Sequence, residues 1–329
     1  MSSSSEATDL SSNSDSSNSD GRKLRRTLVL FLKLLLTAVI LFFVGRNVWQ
    51  NWDQVAAYQW QVQWLPLLVS LVMAQLGFFT FAVCWKMIIG AFGHRLSPLE
   101  SFRIANLSNL GRYVPGKVWQ VFGMLYLAGK KGVASEQTAA SFVLWQIFTI
   151  PASLLVYMIA SQFESRLLVD KFALLGQDSA YILGGLSLLG CLLLVLYPEP
   201  FLKLANGILK RLGRKPAKFK LDKRVALSIF LGYFFGWVFS GLAFWLFLRS
   251  VLGTQAPSAI ASVGLYNVAY QMGYLALFAP GGIGVREAVM GLLLQAFIGP
   301  LGVAVAVMAR IWAVVIDSLA ALIALAIKK

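Results

Sequence analysis

The sequence predicts an all-α, polytopic integral membrane protein. Three observations carry that class. Of 329 residues, 58% are hydrophobic and only 13% are charged, where a soluble domain carries about 25% charge. Several apolar runs are long enough to cross about 30 Å of hydrocarbon. The basic residues gather at the ends of those runs. With a mean hydropathy of +0.71, the chain cannot cover its apolar surface with its own polar groups, so lipid must do it.

The 29 Lys and Arg residues against 14 Asp and Glu give a net charge of +15. The basic residues flank apolar runs, as an anionic cytoplasmic leaflet and the positive-inside rule favour. The polar segments lack aromatics interleaved with basic stripes, which argues against nucleic acid. Cys84 and Cys191 sit inside apolar runs as small hydrophobes. His94, beside Arg95 at the end of such a run, suits an interfacial role better than metal ligation.

Residues 1–21, rich in Ser, Asn and Asp, read as a disordered acidic tail. Arg22, Lys23, Arg25 and Arg26 then precede an apolar run over 27–44. That run is longer than a signal-peptide core and no A-x-A site follows it, so it is expected to be a membrane anchor with a cytoplasmic N-terminus. Lys33 within it can snorkel to the interface. Further runs cover 65–89, 138–160, 180–197, 225–248, 258–279 and 301–327. The segment 46–64, with Trp49, Trp52, Trp60 and Trp64, resembles an external interfacial belt. The basic loop 198–224 is expected in the cytoplasm. It joins two pseudo-halves, about 22–197 and 225–329, of a single transmembrane domain spanning 22–329.

Crossing counts agree with this topology only if residues 101–128 enter and leave on one side. There, Arg112 leads to Pro115, Gly116 and Lys117, followed by a short apolar run over 118–128. Eleven helical residues reach only about 16 Å. A second break, at Pro280, Gly281, Gly282 and Gly284, is followed by Arg286 and Glu287 and another eleven-residue run over 288–298. These short elements either re-enter or span, which makes about seven or eight membrane segments. Paired interruptions in corresponding positions point to a transporter's binding site.

Ionisable groups in a bilayer mark function or a paired structural role. Arg112, Lys117 and Arg286 each lie beside a break, where a Gly-rich turn offers free backbone N–H groups and a positive helix end to an anion. Arginine adds bidentate phosphate geometry; the other reading is that these cations anchor the interface. Arg310 and Asp317, seven residues apart, share a helix face. Asp317 needs either a cationic partner, Arg310 or another, or a role with substrate or proton. The candidate substrate contacts are thus Arg112, Pro115, Gly116, Lys117, Gly281, Gly282, Gly284, Arg286, Glu287, Arg310 and Asp317. Val118 stands where a Walker loop needs Ser or Thr, and there is no HExxH, nucleophile elbow or aspartate cluster. No catalytic residue, metal or cofactor is expected, and an enzyme is not.

The stretches Gly111-Arg112-Tyr113-Val114-Pro115-Gly116-Lys117-Val118-Trp119 and Pro280-Gly281-Gly282-Ile283-Gly284-Val285-Arg286-Glu287-Ala288 resemble the signature regions of the lysylphosphatidylglycerol synthase transmembrane family. The resemblance covers about 22–327 and implies a cell-membrane protein with a flippase-like role. In the name-giving synthases a separate soluble domain transfers the aminoacyl group. That domain is missing from these residues, so lysyl transfer is not expected. The expected function is translocation of an anionic phospholipid or polyprenyl-linked substrate. The alternatives are a non-transporting membrane partner of a glycosyl- or lipid-transferase, or an integral membrane transferase.

Overall fold

The computed structural model describes residues 52–114, 118–167, 197–211, 221–276 and 279–327, with scattered positions over 42–50 and 185–196. The tail, most of the 27–44 run, half of the 180–197 run, Lys33, Pro115, Gly116, Lys117 and Cys191 lie outside the described residues.

Ten α-helices and no strand occur among the described residues. A short helix, α1 (Trp52–Ala57), precedes α2 (Trp64–Gly90), α3 (Pro98–Asn109), α4 (Val118–Gly129) and α5 (Ser135–Phe163). Then follow α6 (Pro198–Arg211), α7 (Lys223–Leu252), α8 (Ala259–Leu275), α9 (Val285–Ile298) and α10 (Leu301–Ala326). Four of these, α2, α5, α7 and α10, are long and apolar enough to cross a membrane.

The two interrupted regions are helical hairpins. Ser97 starts the first: its hydroxyl accepts from the Glu100 N–H, the Glu100 carboxylate accepts from the Ser97 N–H, and Pro98 occupies the first helical position. Arms α3 and α4 run antiparallel. Near the tip Gln120 Nε2 donates to Asn109 Oδ1 at 3.2 Å. Lower down Gly123 faces Ser108 closely enough that a Cβ would lie 3.2 Å from its Cα. At the base Lys131 pairs with Glu100 at 2.6 Å. That bond first, and the Ser97 N–H second, hold the Glu100 carboxyl below the ordinary carboxylate range.

The second hairpin corrects the expected full span over 258–279. Helix α8 stops at Leu275, giving 17 residues, or about 25 Å. Pro280 has no N–H to continue it, and Gly281, Gly282 and Gly284 take φ of 57°, 72° and 87°. The chain then folds back: Gly273 lies against Arg286, and a Cβ on Gly282 would stand 2.8 Å from the Gly273 carbonyl. At the far end Leu167 packs on Gly264 while Arg166 covers the Phe297 ring. The 101–128 region therefore folds back on itself as a hairpin, and so does the region across 280–299.

Each hairpin sits between two long helices, α2 and α5 for the first, α7 and α10 for the second. The leading helices α2 and α7 pack antiparallel: the Gln63 N–H donates to the Ser250 carbonyl at one end, and Cys84 meets Gly232 at the other. Small residues permit the close approach; a Cβ on Gly77 would fall 2.7 Å from Ser240 Oγ. Cross-packing matches. Helix α5 packs on α8 through Ser153 and Asn267 (2.8 Å), as α10 packs on α3 through Ala320, Ala324, Phe102 and Ala105. Two helix–hairpin–helix units, 64–163 and 223–326, are thus inverted relative to each other.

Candidate functional site

The hairpins meet tip to tip. A 3-10 turn, Leu110–Tyr113, ends the first arm of hairpin one, and its Tyr113 ring lies against Gly281 at the tip of hairpin two. All four arms, of 12 to 17 residues, are shorter than the long helices beside them, and polar backbone at membrane depth is tolerated only if protein or a cavity surrounds it. Helix α10 supports both. Arg310 donates to the Gly281 carbonyl at 3.1 Å and pairs with Glu287 at 3.6 Å. Two turns on, Asp317 accepts from Arg112 and, at 2.5 Å, from the Tyr113 hydroxyl. Glu287 also accepts from the Gly284 N–H at 2.5 Å, closing the start of α9. The shared face expected for Arg310 and Asp317 is therefore used to hold two different tips. They do not pair with each other.

Among the described residues, charge does not balance here. Arg112, Arg286 and Arg310 face two carboxylates, Asp317 and Glu287. Arg286 is 7% exposed, has no carboxylate within ion-pair reach among the described residues, and its Nη2 lacks a hydrogen-bond partner. Its guanidinium instead lies over the rings of Tyr266 and Tyr270, at 5.1 and 4.9 Å. Such contacts return about 0.5–2 kcal/mol, less than the several kcal/mol that burying a charge costs. The remaining positive charge suits a bound anion.

A cavity of about 170 Å³ opens on this charge, lined by Arg112, Arg286, Arg310, Gly281, Gly282 and Tyr270 among others. Tyr270 fixes Arg112 by accepting its Nη1 at 2.8 Å. Seven of the eleven candidate residues cluster at the tips: Arg112, Gly281, Gly284, Arg286, Glu287, Arg310 and Asp317. Gly282 joins them but serves packing, since Gly273 leaves it no room for a side chain. Pro115, Gly116 and Lys117 are outside the described residues. Sequence reasoning missed Tyr113, Tyr266, Tyr270 and Gln120. An available signal was the polar pair Asn267 and Gln271 inside an otherwise apolar run, since buried amides in a bilayer are costly.

A family model described as "Lysylphosphatidylglycerol synthase TM region" matches residues 30–321. Among curated proteins no match was found.

Proposed function

The chain belongs to the lysylphosphatidylglycerol synthase TM region family, and on that premise we propose that it moves an anionic lipid or lipid-linked substrate between membrane leaflets. The observation that carries the reading is Arg286: a buried guanidinium with no carboxylate in ion-pair reach among the described residues, facing a cavity at the junction of two broken elements. Arg112 and Arg310 flank the same cavity but are each held by a carboxylate, so Arg286 is the contact for the headgroup phosphate. The inverted units supply a means of exposing one site to either face by rocking about the tips.

Reconstitution tests this. Purified protein in vesicles should move tail-labelled phosphatidylglycerol between leaflets, read by accessibility to an external quencher. Arg286→Ala strands no carboxylate, so it should fold normally and slow lipid movement by roughly tenfold or more, the loss of a charged hydrogen bond. Arg286→Lys should recover only part, because the ammonium keeps the charge without the planar fork. Unchanged movement in a well-folded Arg286→Ala would overturn the proposal. Activity seen only with a co-purified transferase would favour the partner-subunit role.

A further inference from the structure

The cationic cavity has a neighbour. Gln120, Tyr270 and Tyr274 line both it and a second cavity of about 60 Å³. Asn109, Gln146, Gln271, Trp145 and Trp237 wall the second one. Gln271 is only 2% exposed, and its Nε2 has no hydrogen-bond partner. Tyr270 forms the partition: its hydroxyl accepts from Arg112, one face of its ring carries Arg286, and the Trp237 ring meets it edge-on at 4.9 Å. The amides and indoles of the second cavity thus lie next to the anion site, on the far side of the Tyr270 ring.

Those walls select for a particular chemistry. Side-chain amides both donate and accept, which matches hydroxyl groups, and indole rings cover the C–H faces between them. The space of about 60 Å³ is several times the roughly 10–15 Å³ that one water needs, so it has room for a small polar group. A cationic headgroup fits poorly. Neither cavity is lined by a carboxylate among the described residues, and the charge of Arg286 next door would repel it.

We propose that the headgroup is a phosphate bearing a neutral polyhydroxyl group, a polyol or sugar, with the phosphate on Arg286 and the hydroxyls in the amide chamber. This rests on the anion-site reading above and narrows it: an aminoacylated, cationic headgroup is disfavoured.

The test compares tail-labelled lipids in vesicles containing the full chain: phosphatidylglycerol, phosphatidylinositol, a polyprenyl phosphohexose, phosphatidate and lysylphosphatidylglycerol. The polyhydroxyl lipids should move about tenfold faster than phosphatidate and the lysyl lipid, the worth of one or two amide hydrogen bonds. Which of the three moves fastest distinguishes glycerol, inositol and hexose. Gln271→Leu and Gln146→Leu should bring the ratios toward one, and Gln146→Glu should raise lysyl-lipid movement. Equal rates for all headgroups, or Gln variants that slow every lipid alike, would overturn the proposal while leaving the anion site standing. If no lipid moves, the transport reading fails, and binding decides the rest. In detergent, inositol 1-phosphate should raise the Tm of the protein more than inorganic phosphate does. Gln271→Leu should remove that difference and Arg286→Ala should remove both shifts; equal shifts from the two ligands would end the headgroup assignment.

Discussion

At the scale of single residues, the tip cluster separates structure from ligand binding. Asp317 accepts from Arg112 and Tyr113 and is 5% exposed. Removing one side of a buried pair leaves the other uncompensated, at a cost of about 3–5 kcal/mol. Arg112→Ala should therefore lower accumulation in the membrane and the thermal midpoint in detergent. Arg112→Ala with Asp317→Asn should regain most of the loss, since the amide removes the stranded charge. A double variant no more stable than Arg112→Ala would show that the pair does not govern folding. Arg286→Ala should behave differently, because no carboxylate depends on it. The distinction was only half legible in the sequence. Charged residues beside Pro-Gly breaks marked the cluster, but Arg112 and Asp317 lie 205 positions apart. No periodicity along one helix could assign that partner.

At the scale of elements, the hairpins depend on glycine where two backbones touch. Gly282 has φ of 72° and a Cβ there would sit 2.8–3.0 Å from Gly273 backbone atoms. Gly299 has φ of 55° but open space around it. Gly299→Ala should cost about 1–3 kcal/mol of backbone strain, whereas Gly282→Ala adds overpacking of a further 1–3 kcal/mol, roughly. Comparing the two thermal midpoints tests the close approach; equal losses would mean the tip can spread freely. The base of hairpin one carries a pH signature. The Glu100 carboxyl is held below its ordinary value by Lys131, so its contribution is present above about pH 4.3, the unfolded value. It is lost as pH falls through the lower folded value. The midpoint gap between the native chain and Glu100→Gln should thus close on acidification, and it should be small, about 0.5 kcal/mol, for a partly exposed pair. Breaks of this kind were legible because Pro and Gly interrupt apolar runs. The true end of α8 was not, since Ala276 continues the apolar pattern in sequence and the helix stops five residues before Pro280, where the chain folds Arg286 back onto Gly273.

At the scale of the whole molecule, the inverted units fix which termini share a face, and a labelling experiment can read that arrangement. Helix α2 begins beside the end of α7, as Gln63 bonded to Ser250 shows, so residues 63 and 253 share one face. Helix α5 ends there too, because Arg166 covers Phe297 at the base of hairpin two. On the opposite face lie the base of hairpin one at Glu100 and Lys131, the start of α7, whose Lys223 covers Tyr197, and the end of α10, where Ala324 packs with Phe102. That second face carries Arg95, Lys130, Lys131, Lys223 and Arg224 beside Glu100, Glu136 and Asp222, while the first carries Arg166 and Arg249 beside Asp53 and Glu164. The positive-inside rule predicts that the second face is the cytoplasmic one, which would put the C-terminal end of α10 inside. The side of that end was not legible in the sequence, because it turned on whether the run after Pro280 crosses or returns. With Cys84 and Cys191 replaced, cysteines at Thr254 and Gly299 should react with an impermeant maleimide from outside intact cells. Cysteines at Lys131, Arg211 and Lys223 should react only after permeabilisation. Labelling of the whole second set from outside would reverse the orientation but keep the inversion. Mixed labelling within either set, for example Lys131 outside and Lys223 inside, would break the inverted arrangement itself, and with it the single site shared by two opposed hairpins.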